Sequence, residues 1–220
     1  MIQNGAACLL RSHILLMSLS YIVLKRYADI SGAAVLMAAS LPLWVTASLL
    51  VRFESRGPVI FTHERVGLSG KSFNIYKFRS MRVGSEDLEA SLNDEELEQY
   101  YREFRLDNDP RVTRTGRFMR KRYIDELPQL LNVLMGKMSL VGPRPVTLEE
   151  LDYYTDSEKK ELLAVKPGLT GYWQVFGKGN ATYQNGKRQQ MELYYARNAS
   201  LRLDLIILIK TPAVVLRGSV

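Results

Sequence analysis

Residues 30–51 carry no charged side chain. That run constrains the fold more than any other, because about 20 apolar residues suffice for a helix to cross a bilayer core. Pro42 stands near its middle. Proline removes a backbone donor and crowds the preceding turn, so a kink or break is expected there. Both flanks are basic: Lys25 and Arg26 before the run, Arg52 and Arg56 after it. Basic flanks favour the cytoplasmic side of a membrane. A helix that enters, breaks at Pro42 and returns to the same face satisfies both features. A kinked single span and a buried core helix are the alternatives. Residues 1–24 are also apolar, interrupted by Arg11 and His13. Residues 14–24 are too short to span. Lys25-Arg26-Tyr27 follows them with no small-x-small cleavage site, so the segment reads as membrane-associated and uncleaved rather than as a signal peptide.

The rest of the chain is long enough for one domain with a real core. Lys and Arg outnumber Asp and Glu by 30 to 23, a net charge of +7. That surplus points to an anionic partner: nucleic acid, a phosphorylated substrate or anionic lipid. The single cysteine, Cys8, excludes an intrachain disulfide framework. His13 and His63 are the only histidines and give no basis for a His-rich zinc site. Any chemistry must rest on carboxylates, Lys, Arg and hydroxyls.

The segment from Tyr123 to Pro145 combines two features with little structural necessity. It sets adjacent acids, Asp125 and Glu126, just before a short apolar stretch, and it ends in Gly142-Pro-Arg-Pro145. Pro128 suits the first turn of a helix, so the sequence predicts a helix over residues 128–135 with the acids at its N-terminus. The helix dipole and unpaired amides favour negative charge there, which predicts an ionised Asp125 at neutral pH. An acid pair that merely caps the helix is the plainer reading.

Residues 53–81 read as a small β-rich region, with strands at 59–62 and 72–78 and a turn at 67–70. Alternation places Lys77 and Arg79 on one face, which suits a diphosphate; two snorkelling surface cations are the alternative. Residues 84–104 are acidic and predict one or two solvated helices around Asn93-Asp94. Residues 111–122 carry Arg111, Arg114, Arg117, Arg120, Lys121 and Arg122 with no acid. Such a run suits nucleic acid, lipid headgroups or a nucleotide diphosphate. Arg120 lies close enough to Asp125 in sequence for a local role. Arg144, between two prolines, offers a rigid planar fork to a phosphate. A polar helix is expected over 147–163. The stretch 166–179 is rich in glycines and aromatics and suggests a ligand-shaped loop, though no Gly-Lys-Ser/Thr closes it as a P-loop. Residues 201–216 predict an amphipathic helix, either interfacial or packed on the core.

Taken together these features resemble the bacterial sugar transferases, the monotopic phosphoglycosyl transferases. The specific parts are Lys25-Arg26 through Pro42, Glu64-Arg-Val-Gly67, Tyr76-Lys-Phe-Arg-Ser-Met81, Asp125-Glu-Leu-Pro-Gln129, Gly142-Pro-Arg-Pro145 and Pro167-Gly-Leu-Thr-Gly171. The resemblance runs from about Lys25 to Leu216. It implies transfer of a sugar-1-phosphate from a UDP-sugar to undecaprenyl phosphate, releasing UMP. It implies Asp125 as a nucleophile forming a phosphosugar-aspartate and Glu126 as a ligand of Mg2+. It also implies a role for Asp204, which matches a family position. Lys77, Arg79, Arg120 and Arg144 would then bind phosphate. Family members often carry Ser directly before the helix-breaking Pro. Here Leu41 precedes Pro42, and Ser40 is one residue earlier.

The expectation is therefore an α-rich α+β monotopic membrane protein. It divides into an apolar segment (1–24), a re-entrant helix (25–52) and a cytoplasmic or interfacial catalytic domain (53–220) with interfacial amphipathic helices. The expected place is the cytoplasmic face of a bacterial inner membrane. Expected partners are a UDP-sugar, undecaprenyl phosphate and membrane lipid, not nucleic acid; a homodimer is left open. The rivals are a non-enzymatic basic adaptor for anionic lipid and an ordinary glycosyltransferase, which would release UDP.

Overall fold

The computed structural model describes residues 19–106, 108–177 and 181–218. Most of the N-terminal apolar segment, residues 1–18 with Cys8 and His13, lies outside the described residues. The first described element is helix α1, Leu19–Glu54. It starts within that segment and runs past the expected boundaries at 25 and 52.

α1 is long and apolar enough to cross a membrane by length and composition. One stripe of it is buried: Tyr21, Asp29, Ala33, Ser40, Ala47 and Val51. Small residues let this stripe lie close to the domain. A Cβ on Gly32 would come within 2.6 Å of the Leu140 side chain. The remaining faces present apolar side chains outward, including Val35, Val45 and Phe53.

Of the kink or break expected at Pro42, an unwound break is ruled out, since helix runs on both sides of Pro42 and across it; a change of direction there is a bend within one helix. Pro42 subtracts one backbone bond, and neighbouring hydroxyls add others. Thr46 Oγ1 donates to the Pro42 carbonyl at 2.8 Å and Ser40 Oγ to the Met37 carbonyl at 3.2 Å. Ser40 thus bonds a carbonyl next to the one that Pro42 leaves free.

Strands β1 (Ile60–Val66) and β2 (Ser72–Phe78) form an antiparallel hairpin, with Ile60 opposite Phe78 and Val66 opposite Ser72. Ser69 and Gly70 take positive φ at its turn. Helices α2 (Leu88–Ser91) and α3 (Asp94–Glu103) make up the acidic region. Asn93 starts α3 with a reciprocal capping box to Glu96.

Then come α4 (Arg114–Lys121), a single 3-10 turn (Ile124–Glu126), α5 (Gln129–Leu134) and β3 (Ser139–Val141). The helix expected over 147–163 is split. A 3-10 turn at Glu150–Tyr153 precedes α6, Asp156–Leu162, because Thr155 caps α6 in a box with Glu158. β4 (Gly168–Thr170) pairs parallel to β3, followed by α7 (Tyr172–Phe176), α8 (Lys187–Asn198) and α9 (Leu201–Arg217).

The main core gathers Ala33, Phe73, Ile75, Leu130, Val133, Leu140, Tyr195 and Ile207, so α1 and α9 share it with the sheet and α5. α1 is pinned at both ends. Near its start Lys25 Nζ donates to Asp204 Oδ2 at 2.7 Å, and Arg26 donates to the last carbonyls of α5, Val133 at 2.7 Å and Leu134 at 2.8 Å. At its end Glu54 accepts from the Thr115 backbone N–H at the start of α4. The helices before and after the acid pair are therefore both held by α1.

Candidate active site

Local sequence places the acid pair. Thr113 caps α4, and its backbone N–H donates to the Ser80 carbonyl at 3.0 Å. Gly116 lets α4 touch that backbone: a Cβ there would lie 2.0 Å from the Ser80 carbonyl oxygen. Tyr123 then adopts φ 56°, a left-handed conformation rare for a non-glycine. That reversal turns the chain into Ile124–Glu126 and buries Asp125, which is 6% exposed. Asn132 of α5 accepts from the Tyr76 N–H at 3.0 Å and donates to the Asn74 carbonyl at 2.7 Å. The two bonds fix β2 against α5 and set Lys77 opposite Glu126.

Lys77 Nζ donates to Glu126 Oε1 at 3.0 Å, and Arg144 Nη1 stands 3.8 Å from the same oxygen. The Arg144 backbone N–H donates to buried Glu192 at 3.1 Å, which anchors the Gly-Pro-Arg-Pro turn. Arg120 Nε donates to Ser80 Oγ at 2.8 Å and carries an electrostatic attraction to Asp125. A pocket beside Glu126 is lined by Arg65, Lys77, Gln129, Arg144 and Gln174 among others.

The two acids have separate electrostatic fates. Burial, and then the Glu126 charge, push Asp125 up to about 6. For Glu126, burial also raises the carboxyl, but Lys77 and Arg144 outweigh it and hold the group below its ordinary value. Burial opposes the favourable helix end, yet with a value of about 6 Asp125 remains mostly ionised at neutral pH, in line with the expectation from sequence. Two acids driven apart in this way suit a pair with different roles.

Two expected site residues stand elsewhere. Arg79 lies past the end of β2, where its guanidinium donates to the Ser55 carbonyl at 2.8 Å and to Ser55 Oγ at 3.0 Å. It braces the end of α1 rather than standing beside Lys77 on Glu126. Asp204 is buried and accepts from Lys25, from Tyr195 OH at 2.6 Å and from Tyr21 OH at 3.2 Å. It ties α9 to α1, and its carboxylate is taken up there. Arg65, Gln129 and Gln174 were not singled out for a role by sequence reasoning. All three lie within segments that carry the family resemblance or the glycine-rich stretch, which is the signal that could have found them. The cation run of 111–122 is divided: Arg111 pairs with Asp109 in a buried bidentate contact, while Arg114, Arg117 and Lys121 face outward.

Fold and site together define a class: an α+β domain under a long apolar helix, with buried carboxylates facing cations, an arrangement suited to phosphoryl chemistry. The chain belongs to the bacterial sugar transferase family, whose sequence model matches residues 20–218. It is 44% identical over 197 residues to an undecaprenyl-phosphate galactose phosphotransferase of Salmonella typhimurium, covering 88% of this chain and 40% of that protein. It is 44% identical over 200 residues to the exopolysaccharide production protein ExoY of Rhizobium meliloti, covering 89% and 87%. An N-acetylgalactosaminephosphotransferase of Aeromonas hydrophila, acting from the UDP-sugar to undecaprenyl phosphate by its name, is 40% identical over 209 residues, covering 93% and 46%. The chain thus spans less than half the length of the first and third of these relatives, and most of the second.

Proposed function

We propose that the protein transfers a sugar-1-phosphate from a UDP-sugar to undecaprenyl phosphate. The observation that carries this reading is the buried Asp125 beside Glu126, faced by Lys77, Arg120 and Arg144. In the first step a carboxylate oxygen of Asp125 bonds to the phosphorus bearing the sugar. The bond from that phosphorus to the bridging oxygen breaks, and UMP leaves with the electron pair. In the second step an oxygen of the lipid phosphate bonds to the same phosphorus, and the aspartyl bond breaks to restore the carboxylate. The cations take up charge on the transferring oxygens.

Among the described residues no group of three or more His, Cys, Asp and Glu could hold a metal. The adjacent acids nevertheless fit Mg2+, which binds through one or two carboxylates plus substrate phosphates and water. Glu126 would hold it, leaving Asp125 free to attack, and it would neutralise charge on the donor diphosphate. The names of the relatives support a hexose or N-acetylhexosamine donor and a place in exopolysaccharide assembly.

We also read α1 as re-entrant. Its start is bonded to Asp204 and its end to α4, so both ends belong to one domain. With basic flanks at both ends, that supports a domain on the cytoplasmic face of the inner membrane.

Purified protein in nanodiscs with Mg2+, undecaprenyl phosphate and a panel of UDP-sugars tests the reaction. UMP from one donor, lost in Asp125→Asn, is expected. UDP would mean transfer of the sugar alone, and no nucleotide from any donor would favour a lipid-binding adaptor.

A further inference from the structure

The pocket beside Glu126 mixes two kinds of polar group. Arg65, Lys77 and Arg144 are cations, matched to phosphate; Gln129 and Gln174 are uncharged carboxamides. Gln174 sits in α7, one turn after Gly171. Three glycines press this segment against the turn that carries Arg144. A Cβ on Gly142 would lie 2.4 Å from the Lys166 carbonyl oxygen, one on Gly168 2.0 Å from the Gly142 nitrogen, and one on Gly171 2.2 Å from the Gly142 carbonyl oxygen. The Gly142 N–H donates to the Thr170 carbonyl at 2.9 Å, and the Gly168 N–H to the Pro143 carbonyl at 2.7 Å. Backbone against backbone leaves little play, so the Gln174 side chain and Arg144 are registered in one pocket.

Gln174 Oε1 is buried, turned back over Gly171, where a Cβ would lie 2.6 Å from it, and among the described residues it has no hydrogen-bond donor. An acceptor sealed from water without a donor is costly, and native structures keep few of them. The three cations in the same pocket already suit the charged part of a nucleotide sugar. What remains for a carboxamide is the uncharged part.

We infer that the Gln174 carboxamide turns from this unsatisfied place into the pocket and recognises the uncharged half of the donor, accepting a hydrogen bond from a sugar hydroxyl or from the uracil imide N–H. This assignment rests on the reading of the site as a UDP-sugar site. It makes Gln174 a binding and specificity residue, distinct from the groups that act on phosphorus.

The test is calorimetric binding of UDP-sugars and of UMP to Asp125→Asn, which blocks turnover, with and without Gln174→Leu, and steady-state kinetics of wild type and single Gln174→Leu alongside. The variant should bind the UDP-sugar about tenfold more weakly, the usual scale of one lost hydrogen bond, with KM raised to match and kcat nearly kept. If the contact is to the sugar, UMP affinity stays at the value of Asp125→Asn alone and the preference between UDP-galactose and UDP-glucose shifts. If it is to uracil, UMP and every UDP-sugar weaken alike. Unchanged affinity for all of them in a folded variant overturns the assignment. Should Gln174→Leu not fold, Gln174→Asn, which withdraws the carboxamide by one methylene, must weaken binding; unchanged affinity there overturns it equally. Weaker binding with UDP as the product would uphold Gln174 and sink the phosphosugar reading. UMP release with unaltered binding would do the reverse.

Discussion

At the scale of single residues, Asp125 and Glu126 show how neighbours in sequence come to differ in chemistry. Glu126 keeps two cations and stays charged; Asp125 takes the burial and rises to about 6. A nucleophilic carboxylate must be ionised, so turnover should rise with pH through about 6 and level off above 7, as a pH–rate profile at saturating donor would record. Asp125→Asn should cost on the order of 10⁴-fold in UMP release, and Glu126→Gln roughly 10²-fold by losing the charge that orders Lys77 and Arg144. Behind them, burial pushes Glu192 up to about 7. Its folded value exceeds the unfolded one, so the folded state holds the extra proton. Stability from this group is complete at about pH 4 and falls as pH rises toward and through 7. Glu192→Gln should flatten that decline in melts taken from pH 5 to 8. The acid pair and Arg144 were legible in the sequence because their signal is local: adjacent acids before Pro128, an Arg between prolines. Lys77 and Arg79 looked equivalent by alternation. What separates them is the end of β2 at Phe78 and the approach of Ser55, a contact between distant parts of the chain that periodicity does not encode.

At the scale of elements, the site depends on how α4 and α5 are held. Gly116 has no room for a methyl against the rigid Ser80 backbone. Gly116→Ala should therefore displace α4, lower the melting temperature by several degrees and reduce turnover together, as overpacking at about 1–3 kcal/mol would do. Lys25 and Asp204 are a largely buried pair with side chains 16% and 9% exposed. Lys25→Met strands the carboxylate and should cost about 3 kcal/mol in denaturant unfolding of the detergent-solubilised protein. The sequence was a good guide to elements with local signals. Asn93 stands where a helix starts, and Ser72–Phe78 is the strand its alternation suggests, whereas the cap at Thr155, which splits the helix expected over 147–163, went unread. It was a poor guide to β3 and β4, three residues each, which exist through a parallel pairing between separate segments. Between a kink and a break at Pro42 it could not choose; helix continues there, where hydroxyls of Ser40 and Thr46 supply local bonds.

At the scale of the whole molecule, α1 joins a broad apolar surface to a basic domain. Tyr27 and Phe53 are 69% and 84% exposed near its two basic flanks. In a Cys8→Ser background, cysteines placed singly at these positions should both react with an impermeant maleimide from the cytoplasmic side, in inverted vesicles and not in intact spheroplasts. Labelling of the two from opposite sides would make α1 a simple span. The central claim is that the domain beneath α1 works through a covalent phosphosugar on Asp125. The most direct measurement mixes enzyme and its UDP-sugar without lipid acceptor and follows both UMP and the intact protein mass. The covalent route requires a burst of UMP stoichiometric with enzyme and a sugar-phosphate adduct mapped to Asp125, discharged when undecaprenyl phosphate is added. UMP that appears only once lipid is present, with no adduct at any time, would contradict it.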